Sequence, residues 1–122
     1  MTFFQTREFK CPCERPECEA PKFPADELVA KLTHVRMLVG QPLTVTSGLR
    51  CPLHNAKVGG AANSEHLTGE GADIACDNSM LRMSLVKYGI NAGFVRMGIG
   101  KNFVHFGVSK SLAPSCIWTY YG

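Results

Sequence analysis

Residues 94–108, FVRMGIGKNFVHFGV, contain two apolar runs that are separated by Lys101 and Asn102. Their β-branched and aromatic content predicts two neighbouring strands, over 94–100 and 103–108. Outward from this pair, residues 43–46, 72–75 and 117–121 are three further strand candidates. Apolar residues at helical spacing predict two helices, with Leu28, Leu32, Val35 and Val39 on the first and Leu81, Leu85 and Tyr88 on the second. We therefore expect an α+β fold with two helices packed on a small antiparallel sheet.

Length and composition predict one folded domain over residues 1–122, with an irregular Pro- and Cys-rich segment at 1–23. A hydrophobic fraction of 45% with 19% charged residues excludes intrinsic disorder. The net charge of +3 comes without a run of Lys or Arg, so we expect no nucleic-acid partner. There is no apolar run of the roughly 18 residues that span a bilayer, and no secretory signal is recognisable. We expect a monomer that binds no membrane.

The six cysteines leave two interpretations open. Six thiols allow 15 disulfide connectivities. The closely spaced Cys11, Cys13 and Cys18 could instead hold a soft metal ion. The missing signal favours free thiols, whereas the number of cysteines favours an oxidising compartment.

His66, Asp73 and His105 are the candidate metal ligands. Two histidines and a carboxylate suit a catalytic Zn²⁺ with an open fourth position, although other divalent ions bind such sites too. A histidine inside the apolar run 103–108 needs a partner, so His105 could equally be a hydrogen-bonded core histidine. We assign no site role to His34, which we place on the exposed side of the first helix. The spacing of His54, in the following loop, does not indicate a metal ligand either.

Residues 47–74, SGLRCPLHNAKVGGAANSEHLTGEGADI, contain the elements S-G-x-R, N-x-x-V-G-G-A and S-x-H-x-x-G-x-x-x-D in order. Together with F-V-H at 103–105 and W-T-Y at 118–120, they closely resemble the zinc D-Ala-D-Ala peptidases of the M15 family. The branch that the sequence resembles most is the small single-domain group found in bacterial cell-wall enzymes and phage lysins. The resemblance covers roughly residues 24–121 and implies a hedgehog/D-Ala-D-Ala peptidase-like fold.

The resemblance implies that His66, Asp73 and His105 bind zinc, while Arg50 and Ser64 hold a substrate carboxylate or neighbouring carbonyl. A structural salt bridge for Arg50 and a capping hydroxyl for Ser64 are the alternatives. The family's disulfide-stapled domains further suggest a Cys76–Cys116 bond and, more weakly, a bond from Cys51 to Cys11, Cys13 or Cys18. A second zinc ion bound by the N-terminal cysteines competes with that pairing.

The general base is missing from its usual places. Much of the family has Glu or Asp three residues before the last histidine, where this chain has Asn102. The nearest branch often has Asp two residues after that histidine, where this chain has Gly107. The candidate replacements are carboxylates that we otherwise interpret as solvated, and one histidine: Glu65, Glu70, Asp77 and His54.

We expect a zinc peptidase that hydrolyses bonds next to D-amino acids in peptidoglycan stem peptides or cross-links. The absence of a signal suits a phage-encoded lysin that stays in the host cytoplasm until lysis, or a virion-associated enzyme, acting on the cell wall outside the membrane. The alternative is a zinc-binding but catalytically silent module that binds wall peptides or forms part of a phage particle. A cysteine-based zinc-ribbon or redox domain explains nothing after residue 24.

Overall fold

The computed structural model describes residues 3–120. Three α-helices are present, α1 (Asp26–Val39), α2 (Pro52–Lys57) and α3 (Ser79–Asn91), with 3-10 turns at Thr6–Phe9 and Glu65–Leu67. Five strands form one sheet, β1 (Val45–Ser47), β2 (Gly71–Ala75), β3 (Arg96–Ile99), β4 (Phe103–Gly107) and β5 (Cys116–Thr119). The predicted α+β fold is confirmed. The predicted final strand ends earlier than expected, and Tyr121 lies outside the described residues.

The two predicted helices form where apolar spacing and end signals agree. Leu28, Leu32 and Val35 lie on the buried side of α1, which ends at Gly40 with a φ of 79°. That left-handed conformation is one that glycine adopts without strain. The side chain of Asn78 accepts a hydrogen bond from the Leu81 N–H at 2.7 Å and so caps α3. The short α2 was not predicted; it begins at Pro52, a residue suited to the first helical turn.

The strand order is β1-β2-β4-β3-β5, and one pairing departs from the antiparallel sheet that we expected. β3 and β5 are parallel, with Arg96 opposite Cys116. The reason is the direction of β4, which ends at Gly107 opposite Arg96. The end of β4 and the start of β3 thus lie at the same end of the sheet. Residues 108–115 stay at this end, so β5 starts beside the start of β3 and runs parallel to it.

Alternation along the strands gives the sheet two different faces. One face packs on α1 and α3 and forms the apolar core. It carries Ala72, Ile74, Met97, Val104 and Phe106, all at most 1% exposed. The N-terminal segment contributes Phe4 and Phe9 to this core. The opposite face carries Asp73 and His105 as direct cross-strand partners.

The predicted Cys76–Cys116 disulfide is wrong, and none of the six cysteines forms a disulfide bond. The Cys76 N–H bonds to the Asn102 carbonyl near the start of β4, whereas Cys116 lies beside Arg96, opposite the end of β4. The length of β4 alone separates the two by about 13 Å. A disulfide requires Cα atoms within about 7 Å. The disulfide suggested for Cys51 is absent too, although Cys51 does lie beside one of its suggested partners, Cys11.

Candidate active site

The three predicted metal ligands meet on the outer face of the sheet. β2 and β4 carry Asp73 and His105, and the 3-10 turn Glu65–Leu67 brings His66 beside them. One ligand atom from each residue lies within 4.8 Å of the others, and all three residues are buried. The sheet register explains the pairing of Asp73 with His105, since cross-strand partners share a face.

The hydrogen bonds orient both imidazoles toward Asp73. His66 Nδ1 lies 2.7 Å from the carbonyl oxygen of Gly48, which can only accept, so Nδ1 carries the proton. His105 Nε2 lies 2.9 Å from Glu65 Oε1 and donates to that carboxylate. The remaining nitrogens, His66 Nε2 and His105 Nδ1, lie 3.2 Å and 2.8 Å from Asp73 Oδ1. Three electron-pair donors thus converge with their protons directed elsewhere, an arrangement that fits a divalent cation.

Burial and neighbouring charges shift the pKa values of these groups. Burial alone would raise the pKa of Asp73, but the bonds to His105 and His66 outweigh it and lower that pKa to about 2. Burial would lower the pKa of His105, yet its bonds to Asp73 and Glu65 raise it above the usual value. A second proton, at Nδ1, therefore binds His105 more readily than it binds an ordinary histidine, and a cation at this site has to compete with it.

Zinc affinity at this site is expected to fall as the pH drops through the raised pKa of His105. The fall approaches about tenfold per pH unit below that pKa, because zinc and one proton compete for Nδ1. Asp73 stays ionised throughout, since its pKa is about 2. Trp118, the one tryptophan of the chain, lies 5.6 Å from the His105 ring and provides a local fluorescence signal for zinc titrations between about pH 5.5 and 8. An affinity that is constant over this range would contradict the assignment; the exposed His34→Ala variant is the matched control.

Glu65 is not the solvated carboxylate that we expected, because it is only 4% exposed. Its Oε1 accepts from His105, and its Oε2 accepts from the Ser109 N–H at 3.0 Å. Its charge is stabilised: despite burial, the His105 and Ser109 hydrogen bonds lower the pKa of Glu65. A Cβ atom built on Gly107 would collide with both carboxylate oxygens of Glu65. Glu65 therefore fills the space beside His105 that a side chain at position 107 would occupy.

Arg96 is a site residue that the sequence analysis missed. Its Nε lies 3.1 Å from Glu65 Oε2, and its guanidinium lies 4.8 Å from the Trp118 ring centroid. Nη1 also donates to the Ala113 carbonyl. The available signal was a charged residue inside the apolar run 94–100, which requires a buried partner.

Arg50 lies at the edge of the metal site. Its Nη2 is 3.7 Å from Asp73 Oδ2, and its Nε and Nη1 donate to Ser47 Oγ and Asn55 Oδ1, each at 3.1 Å. Asn55 is buried and was not predicted; its side chain also donates to the Ala61 carbonyl. Arg50 is thus held by the protein while it still faces the cavity beside the ligands.

The cavity over the ligands has a volume of about 630 Å³. Its lining includes Gly59, Gly60 and Ser64 from the loop before His66, and the aromatic residues Phe103, Trp118 and Tyr120. The Ser64 hydroxyl accepts from the His66 N–H at 3.2 Å, which is the capping role considered above.

The other proposed replacements for the base do not reach this cavity. Among residues 3–120, the carboxylates that line it are Asp73 and Glu65. Glu70 bonds to the Thr68 hydroxyl, Asp77 is exposed before α3, and His54 lies on α2 outside the cavity lining. Asn102 is exposed and outside the lining as well.

A comparison with protein families agrees with this geometry. The family model described as Peptidase M15 matches residues 2–107, which include all three ligand candidates, Arg50 and Glu65. The chain belongs to the peptidase M15 family. It is accordingly a peptidase with a candidate metal centre, as the sequence resemblance predicted. The comparison with curated proteins finds no significant match.

Within residues 3–120, no helix of this M15 peptidase has the length and apolar character needed to cross a membrane.

Proposed function

We propose that this M15 peptidase uses zinc to hydrolyse peptide bonds next to D-amino acids in peptidoglycan stem peptides or cross-links. The observation that carries the proposal is the convergence of His66 Nε2, Asp73 Oδ1 and His105 Nδ1 with both histidine protons directed away. Zinc held by these atoms would supply a water of pKa about 7 and polarise the scissile carbonyl. By the same proposal the enzyme acts on the wall outside the membrane, as a phage lysin or virion-associated protein does.

The chain's own residues position the substrate and the ligands. Arg50 offers a guanidinium edge to a substrate carboxylate or carbonyl next to the metal site. Tyr120, half-exposed on the cavity wall, presents a phenol that can hydrogen-bond to the same substrate. Glu65 fixes the orientation of His105 and is itself held by Arg96 and the Ser109 N–H. We therefore assign Glu65 a positioning role.

One observation favours a second candidate function, a silent zinc-binding module that binds wall peptides. Both Glu65 oxygens accept hydrogen bonds, and Asp73 is a proposed ligand, so no free carboxylate lines the cavity within residues 3–120. A positioned general base typically contributes 10²–10⁴-fold to the rate. If the protein is such a silent module, it binds wall peptides without hydrolysing them.

Product analysis separates the two functions. Zinc-loaded protein is incubated with purified peptidoglycan, and the soluble products are identified by mass spectrometry, with His66→Ala as the control. Free D-alanine indicates a carboxypeptidase, and separated cross-links indicate an endopeptidase. Wall peptides bound at unchanged mass, with one zinc in the His66 site, would establish the silent module and overturn the hydrolytic proposal.

Replacing Arg50 with lysine is expected to raise the KM for peptides with a free C-terminal carboxylate by about 10- to 100-fold. Lysine keeps the charge but loses the paired N–H groups, and a hydrogen bond to a charged group contributes about 1.5–3 kcal/mol. Steady-state kinetics on a peptide and its C-terminal amide provide the test. If Arg50 binds that carboxylate, the variant discriminates less between the two substrates. An equal loss on both would show that Arg50 acts only through Asp73.

A further inference from the structure

Four cysteines from two distant parts of the chain form a cluster that is separate from the three candidate metal ligands. Cys11, Cys13 and Cys18 come from the N-terminal segment, and Cys51 is the residue that caps α2. The four sulfur atoms all lie within 4.8 Å of one another. Cys11 and Cys51 are buried, and the other two are half-buried.

The spacing of the sulfurs matches a metal site better than a disulfide. Zinc–sulfur bonds of about 2.3 Å in a tetrahedron place the sulfurs about 3.8 Å apart. The Cys11 and Cys51 Sγ atoms are 3.8 Å apart. A disulfide requires about 2.05 Å, and each would join only two of the four sulfurs. We propose that Cys11, Cys13, Cys18 and Cys51 form a structural zinc site with four thiolate ligands.

The surroundings of the cluster suit thiolates that share a cation. The His54 N–H donates to Cys51 Sγ at 3.3 Å, and the Cys51 N–H donates to Cys11 Sγ at 3.5 Å. The Arg15 guanidinium approaches Cys51 Sγ at 3.8 Å. Four thiolates around Zn²⁺ leave two negative charges, which these donors and the Arg15 cation stabilise.

The backbone path points to the same conclusion. Between Cys13 and Cys18 the chain passes through Glu14 with a φ of 56°, a conformation that residues with a side chain rarely adopt. A strained turn persists only where the surrounding structure holds it. If Cys13 and Cys18 bind the same zinc ion, that ion would hold the turn at Glu14 in place.

The position of the cluster indicates what the zinc does. Cys51 directly follows Arg50, and the Leu49 N–H donates to the Phe9 carbonyl at 2.7 Å. The site thus joins the N-terminal segment to the stretch that carries Arg50 into the active site. With all four positions taken by sulfur, it has no place for a substrate or a reactive water, so its role is structural.

Zinc content and cobalt spectra of the full chain test the proposal. Reduced protein, purified and loaded with zinc alone, is expected to hold two zinc ions per chain. His66→Ala and Cys18→Ser should each hold one, and the double variant none. The half-buried Cys116→Ser is the matched control and should keep both. With Co²⁺, intense sulfur-to-metal charge transfer should persist in His66→Ala and disappear in Cys18→Ser.

Three results with the wild-type protein would overturn the proposal, so the test does not depend on whether a variant folds. The first is reduced, cobalt-loaded protein that shows no thiolate charge-transfer band. The second is iron rather than zinc in the isolated protein, and the third is intact disulfides among these cysteines under reducing conditions. X-ray absorption of zinc-loaded His66→Ala should show sulfur neighbours only, at about 2.3 Å. These outcomes do not depend on peptidase activity, so they separate this site from the proposed function.

Discussion

Replacing His66 with alanine is expected to abolish peptide hydrolysis, with a loss of at least about 10³-fold. The change removes one of the three proposed ligands from a buried site and would leave only Asp73 and His105 to hold the cation. A catalytic metal contributes several kcal/mol to transition-state stabilisation, and each 1.36 kcal/mol corresponds to a tenfold change in rate. The decisive measurement is the initial rate of product release from peptidoglycan peptides with zinc in excess.

The control for this variant is His34→Ala, which removes an exposed histidine from α1. It should hydrolyse the peptides at the wild-type rate. Since His66 also bonds to the Gly48 carbonyl, a folding defect is checked by circular dichroism and by Asp73→Asn, which keeps the side-chain shape. Asp73→Asn should lose activity to a similar extent while it keeps its fold. A wild-type rate in either ligand variant would refute the metal centre as the catalytic site.

The elements that the sequence predicted correctly are those decided by local signals. The α1 and α3 helices follow apolar spacing that ends at Gly40 and begins after Asn78. The β2 and β4 strands follow from alternation and β-branched content. The convergence of His66, Asp73 and His105 could be anticipated because the motif resemblance carries a known order of ligands. None of these predictions required knowledge of how distant segments pack.

The features that were missed depend on which distant segments meet. The parallel pairing of β5 follows from the end of the sheet to which residues 108–115 return, which has no local signature. The Cys76–Cys116 prediction failed for the same reason, since it needed the two residues at one end of the sheet. The burial of Glu65 depends on a glycine at position 107, on a strand that lies far from Glu65 in the sequence.

The pair Glu65 and Gly107 yields the second large expected effect. Glu65→Ala should weaken zinc binding or activity by about 10- to 100-fold, the usual loss for a group that holds a metal-binding histidine. Alanine removes the acceptor for His105 Nε2, leaves the buried Arg96 without its negative partner, and empties the space next to Gly107. Gly107→Asp alone should also impair the site, because the new side chain collides with the Glu65 carboxylate.

Combining the two changes should restore much of the loss. Residues 105 and 107 lie on the same face of β4, so an aspartate at 107 would place its carboxylate beside His105, where Glu65 now lies. In the branch of the family that the sequence resembles, aspartate is often found at this position, and the double variant likewise places the charge on the strand. Zinc titrations followed by Trp118 fluorescence, together with peptidase rates, compare the two single variants, the double variant and the control Glu70→Ala. If the fold loss of the double variant in zinc affinity and rate equals the product of the losses of the two single variants, the two positions act independently. Recovery to within a few-fold of wild type would instead show that one carboxylate beside His105 is what the site requires, whichever strand or turn supplies it.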